Sequence, residues 1–167
     1  FDLQRVVIKG ALSDGLDVDF GSGSIRDSRF EDVGSAGGGD AIDVSGATVT
    51  VDGIAFAQIG DKALSVGEGG TVQASRLAVD DAGAAVVSKD HSWVSASDVQ
   101  VRNVWNSGLM AYTKKPEFGG AVLQVTDVSF VNTNRSVQVQ YGSVLIVDGI
   151  EMDRVAVNVD SLYSTVM

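Results

Sequence analysis

Apolar and polar residues alternate in short runs along most of this chain, as in "TVTVDGIAF", "TVQASRLAV", "WVSASDVQV", "AVLQVTDVSF" and "SVLIVDGIEM". A period of two turns one side of each run toward an interior and the other toward water, which predicts short β-strands. No apolar period of 3.6 is sustained over three turns, so no long helix is expected. Valine is abundant, and the 20 glycines and single proline, Pro116, supply tight corners between strands.

The runs recur. Following one apolar position down the chain gives "DGLDVD" (Leu16), "DAIDVS" (Ile42), "KALSVGE" (Leu64), "AAVVSKD" (Val86), "SGLMAYT" (Leu109), "RSVQVQY" (Val137) and "VAVNVD" (Val157), with steps of 26, 22, 22, 23, 28 and 20. A second series runs through Ile54, Leu77, Val99, Val128 and Ile150, with steps of 23, 22, 29 and 22. Two interleaved series on one period of about 22 define a repeat, each unit holding about three short strands. The absence of a helix in the unit excludes leucine-rich, ankyrin and tetratricopeptide arrays. One coil of a parallel β-helix fits, because a single coil cannot bury its apolar face and stacked coils share one core.

The expected fold is therefore all-β: a parallel β-helix of about seven coils, one domain over residues 1–167. Over essentially its whole length the chain resembles the right-handed parallel β-helix (pectate-lyase-like) superfamily. The segments "GDKALSVGE", "SKDHS" and "AYTKKPEFGG" are similar to β-helix modules of bacterial and archaeal secreted or surface proteins. The resemblance implies the right hand of the β-helix and a secreted or cell-surface setting. It does not select a function, since one scaffold serves lyases, epimerases, hydrolases, adhesins and phage spikes.

Charge narrows the partners. A net charge of −10 argues against nucleic acid, which needs a concentrated basic face. The charge is uneven: residues 1–61 carry 11 acidic and 4 basic side chains, the remainder 11 and 8. No stretch approaches the roughly 20 apolar residues of a membrane helix, so no membrane insertion is expected. The chain opens with "FDLQRVVIKG" and lacks an initiator methionine, and neither that segment nor "NVDSLYSTVM" reads as a capping helix. A fragment of a longer protein is expected, its open ends meeting further coils, a neighbouring domain or another copy.

Candidate chemistry sits at fixed places in the repeat. Asp14 aligns with Asp40 and Asp17 with Asp43, so four carboxylates stack outward on coils about 4.8 Å apart. Like charges at that spacing repel unless a cation or solvent intervenes, and calcium, which takes six to eight oxygens, is the cofactor they would hold. The alternative is a solvated acidic face. Lys62 occupies the Asp40 register in the next coil, either neutralising the stack or acting as the proton-abstracting base of a lyase. Glu68 and Asp90 are also in register, with Lys89 beside them. His91, the only histidine, follows Asp90; it is either a general base or a corner residue. Lys62, Lys89, Asp90 and His91 are thus the catalytic candidates. Trp93, Trp105, Tyr112 and Tyr141 do not fall on one aligned position, so no aromatic rail is expected.

The long steps locate two protruding loops, "EDVGSAGGG" and "TKKPEFGG". In the second, Lys114, Lys115, Glu117 and Phe118 form a candidate binding loop for an anionic sugar or a protein. Two functions follow. The first is a non-catalytic secreted or surface module, a rigid scaffold or binding surface for polysaccharide or partner protein. The second is a lyase or epimerase acting on acidic sugars, which requires a cleft where lysine or arginine, carboxylates and aromatics converge.

Overall fold

The computed structural model describes residues 1–164, which form a parallel β-solenoid of about six turns. The strands are β1 (Asp2–Gln4), β2 (Val7–Ala11), β3 (Leu16–Asp19), β4 (Ser22–Val33), β5 (Ile42–Ser45), β6 (Thr48–Gly67), β7 (Thr71–Lys89), β8 (Trp93–Tyr112), β9 (Val122–Val131), β10 (Val137–Val139), β11 (Val144–Val147) and β12 (Ile150–Glu151). The long strands bend around corners, so one hydrogen-bonded sheet wraps into three parallel stacks. Stack one runs through Leu3, Ile25, Val51, Ala74, Ala96, Val125 and Val147. Stack two runs through Ile8, Phe30, Phe56, Val79, Val101 and Phe130. Stack three is the first sequence series, Leu16, Ile42, Leu64, Val86, Leu109 and Val137, each paired with the next.

Those residues point inward and pack on one another coil by coil. Ile42, Leu64, Val86 and Leu109 are fully buried, and the Phe30 and Phe56 rings stack with centroids 5.7 Å apart. The corners repeat as regularly as the core. Between stacks one and two the chain turns at Arg5, Asp27, Gly53, Arg76, Asp98 and Asp127. It bends again at Gly10, Asp32, Gln58, Asp81, Asn103 and Asn132, and a third time at Phe20, Gly46, Glu68 and Asp90. All of these adopt positive φ, 48–64° for the non-glycine members. Left-handed backbone suits Asn, Asp and Gly because a short polar side chain hydrogen-bonds locally and glycine has no Cβ to clash.

Both expected insertions are present. Between Ala11 and Leu16 the chain passes directly, whereas residues 34–41 fill the equivalent gap one coil on. The second insertion lies between Tyr112, aligned with Lys89, and Val122, aligned with Trp93.

The C-terminal part departs from the expectation of seven coils. Ile150 does not continue the second series, because Asp148 and Gly149 turn with φ of 48° and 81° and fold β12 back antiparallel on β11. Between the antiparallel partners Val147 and Ile150, these two left-handed residues form a two-residue hairpin turn. Val157 does not extend the first series either; among the described residues, stack three is continued beyond β10 by an isolated bridge from Gln140 to Val155. The segment expected to lack a helix forms α1 (Val159–Ser164), preceded by Asn158, whose side chain accepts the Ser161 N–H at 3.3 Å. Residues 165–167 of that segment lie outside the described residues. Val159, Leu162 and Tyr163 pack on Ala84, Val87, Met110 and Tyr112, so α1 lies along the outer flank of stack three.

The corner geometry is testable at Asp98, which has φ of 53° and whose side chain is exposed. Asp98→Gly should leave the urea midpoint unchanged or raised, while Asp98→Val should lower stability by about 1–2 kcal/mol, the cost of left-handed backbone for a residue with a Cβ. Equal stabilities for the two variants would show that the corner is not held in this conformation.

Candidate functional site

The outward positions of stack three carry the chemistry. In register they read Asp17, Asp43, Ser65, Val87, Met110 and Gln138. The face is thus acidic in the first coils and apolar in the fourth and fifth, where α1 covers it. At the boundary lies a cleft of about 310 Å³ lined by Asp14, Gly38, Asp40, Asp43, Asp61, Lys62, Lys89, Lys114 and Tyr163. Gly38 comes from the first insertion, Lys114 from the second and Tyr163 from α1. Both insertions and the helix thus border this one place.

The aspartates at the head of each repeat have a backbone task. Asp14 Oδ1 accepts the Asp40 N–H at 2.7 Å, and Asp40 Oδ1 accepts the Lys62 N–H at 3.0 Å. A sharp corner frees N–H groups from the ladder, and a buried unpaired donor is costly, so a carboxylate one coil away supplies the acceptor. That is why "DGLDVD" and "DAIDVS" share their first aspartate.

Lysines pair with the carboxylates at the inner end of the stack. The Lys62 ammonium lies 3.2 Å from Asp40 Oδ1 and also pairs with Asp61, all three being largely buried. Lys89 starts one coil further along and lies across Gly67, where a Cβ would come within 2.8 Å of its Cε. Its ammonium reaches Ser65 Oγ at 2.7 Å and Asp43 Oδ1 at 3.5 Å. Among the described residues no group of three or more His, Asp or Glu side chains is arranged to hold a metal ion. Asp17 stays exposed on the outer coil, its carboxyl raised above the usual range by partial burial and by Asp19, Asp43 and Asp14.

Burial raises the Asp40 carboxyl to about 6, against the opposing pull of Lys62. Burial would lower Lys62, but Asp40 and Asp61 overcome it and hold the ammonium charged well above its ordinary range. A lysine so held does not abstract protons near neutrality. Lys114 behaves oppositely: desolvation, then Lys89 and Lys62, lower it. Its ammonium sits 4.3 Å from the centre of the Tyr163 ring, and Lys62 lies 5.2 Å from the same ring. The Tyr163 hydroxyl is 2.6 Å from that of buried Tyr112, and burial raises both phenols.

Asp90 and His91 form an anchor for the second insertion. Asp90 is fully buried, and its Oδ1 accepts the N–H groups of Lys114 and Lys115, each at 2.6 Å. The His91 N–H donates to the Gly119 carbonyl, and the His91 side chain is exposed. Lys115 pairs with Glu68, so Glu68 and Asp90 each tie the loop to the coils beneath it. Glu117 and Phe118 are exposed at the loop tip, outside the cleft.

The cleft therefore gathers Asp14, Asp40, Asp43, Lys62, Lys89 and Lys114 from the sequence candidates and leaves out Asp17, Asp90, His91, Lys115, Glu117 and Phe118. Asp61 and Tyr163 were not foreseen. Val87 and Met110, apolar at positions where Asp17 and Asp43 are acidic, were the signal that something covers that face. No family model, curated protein or solved structure matches the chain, so the architecture and the cleft define it.

Asp40 gives a pH test. Its folded pKa lies above the ordinary 3.8, so the folded state holds the extra proton between about pH 4 and 6. The group's contribution is then fully present below the lower value and is lost as pH rises through the upper. Relative to Asp40→Asn, the wild type should gain on the order of 3 kcal/mol between pH 7 and pH 4. Parallel urea-stability curves for the two proteins across that range would overturn the assignment.

Proposed function

We propose that the chain is a non-catalytic module of the right-handed, pectate-lyase-like β-helix type. In this reading it belongs to a secreted or cell-surface protein and presents the stack-three cleft to polysaccharide or a partner protein. The observation that carries it is the convergence of both insertions and α1 on a cleft whose Lys62 and Lys89 are already spent on Asp40, Asp61 and Asp43. Insertions on a regular solenoid are where partners are met, since they cost the ladder nothing. Lys114 has no ion pair among the described residues and stands exposed at the rim. It is the group offered to a ligand carboxylate, with Tyr163 as the flat surface beside it.

A second reading, a lyase or epimerase on acidic sugars, rests on one observation: the lowered Lys114 amine is beside a tyrosine in a cleft with carboxylates. A single assay separates the two. The protein is incubated with soluble polyuronates and followed both for binding and for unsaturated products by ultraviolet absorbance. Binding without product, weakened at least tenfold by Lys114→Ala, is the expected result. Product formation abolished by Lys114→Ala would replace the first reading with the second. The same samples address calcium: because lysines already brace the aspartates, chelator should leave the melting temperature within about 1 °C. A calcium-dependent rise lost in Asp43→Ala would restore a metal to the stack.

A further inference from the structure

Trp105 lies on the other side of α1 from the charged cleft. In stacks two and three β7 and β8 pair in register except between Ala82 and Ala84, where Trp105 and Asn106 stand opposite the single residue Gly83. Gly60 and Asp61 of β6 stand opposite Gly83 in the same way, so the β7 coil is one residue shorter here than both its neighbours, which accounts for the step of 23 between Val86 and Leu109. Bulges re-aim side chains, and here the indole is laid over Gly83, whose hypothetical Cβ would meet Trp105 Cζ2 at 2.8 Å. Trp105 stays 46% exposed.

The residues lining its surroundings are mostly polar, and none of them is a carboxylate. One open hollow of about 600 Å³ is lined by Asn103, Val104, Trp105, Asn132, Thr133 and Asn134. A second, of about 260 Å³, is lined by Trp105, Asn106, Arg135, Ser161 and Leu162. In a protein of net charge −10 this is a neutral to basic surface. The amides are oriented: Asn103 Nδ2 donates to Asp80 Oδ1 at 2.7 Å, and Asn132 Nδ2 donates to Asn103 Oδ1 at 2.7 Å. Asp80 accepts only, so the direction of the row is set, and the Asn132 carbonyl oxygen has no protein donor among the described residues.

We propose that this surface is a saccharide-binding subsite, with a sugar ring lying on the Trp105 indole and its hydroxyls meeting Asn132, Thr133 and Asn134. A pyranose has an apolar face of C–H bonds, which an aromatic face matches, and a rim of hydroxyls that both donate and accept. Carboxamides do the same. A protein hot spot built on tryptophan is ringed by apolar groups that exclude water, whereas the exposed neighbours of Trp105 are amides, a hydroxyl and a guanidinium. Among the described residues the Arg135 guanidinium reaches only Gln138 Oε1, at 3.5 Å, and would pair a uronate carboxylate if the sugar bears one. The subsite is independent of the Lys114 cleft and stands whether or not that cleft binds.

The test is an array of neutral and acidic oligosaccharides probed with the wild type, followed by calorimetry on the best ligand of each kind. Trp105→Ala should weaken binding at least tenfold with an unchanged circular dichroism spectrum, and Asn134→Ala severalfold. Arg135→Gln should weaken acidic ligands tenfold and leave neutral ones unchanged. In a Trp93→Phe background, saturating ligand should shift the remaining tryptophan emission to shorter wavelength. Binding that Trp105→Ala leaves intact and Lys114→Ala removes would overturn this subsite while sustaining the cleft. No saturable binding by any sugar on the array would overturn it outright.

Discussion

The parallel backbone ladder is the constraint from which the rest follows. Each strand pairs in register with its equivalent in the next coil, so identical positions stand about 4.8 Å apart for the length of the solenoid. Inward, that spacing is favourable: Leu16, Ile42, Leu64, Val86 and Leu109 form one continuous apolar column. Outward, it sets like groups against each other, and every charge must find an answer one or two coils away.

The answers share a form. Lys89 crosses Gly67 to reach Asp43, and Arg76 crosses Gly53 to reach Asp27 at 3.3 Å. In each case a long cation spans two coils and a glycine in the coil between makes room for it. Arg76 also pairs with Asp52 at 2.6 Å, and these partners hold its guanidinium above its already high range. Exposed pairs such as Arg76–Asp27 contribute little each. Lys62 with Asp40 and Asp61 is different, because it is buried and removing one partner would strand a charge. The acidic face is thus braced by side chains within the fold.

The same regularity makes irregularity informative. A solenoid tolerates extra residues only where they leave the ladder, so residues 34–41 and 113–121 loop out at corners and Trp105–Asn106 bulges. The two loops meet at one cleft because both leave stack three at its ends, within a few coils of each other. Helix α1 then lies between that cleft and the Trp105 surface, contributing Tyr163 to one and Leu162 to the other. Two surfaces of opposite character, one charged and one rich in amides, flank a single short element.

Period and alternation determined the fold from the sequence alone: the 22-residue step, the inward columns and the two insertions all depend on local order that stacking merely repeats. The pairing of Asp14 with Asp40 and of Asp17 with Asp43 was legible for the same reason. What those aspartates do was not, because Lys89 lies 46 residues from Asp43 and its reach depends on Gly67 being bare. Helix α1 was hidden because six residues are too few to show a helical period, and its apolar side is defined only by Val87 and Met110 beneath it. Trp105 read as one isolated aromatic until the register shift at Gly83 placed it beside four asparagines from its own coil and the next. Short-range pattern fixes which residues face in. Only the stacked structure decides which outward side chains, two coils or a chain end apart, come to share a site.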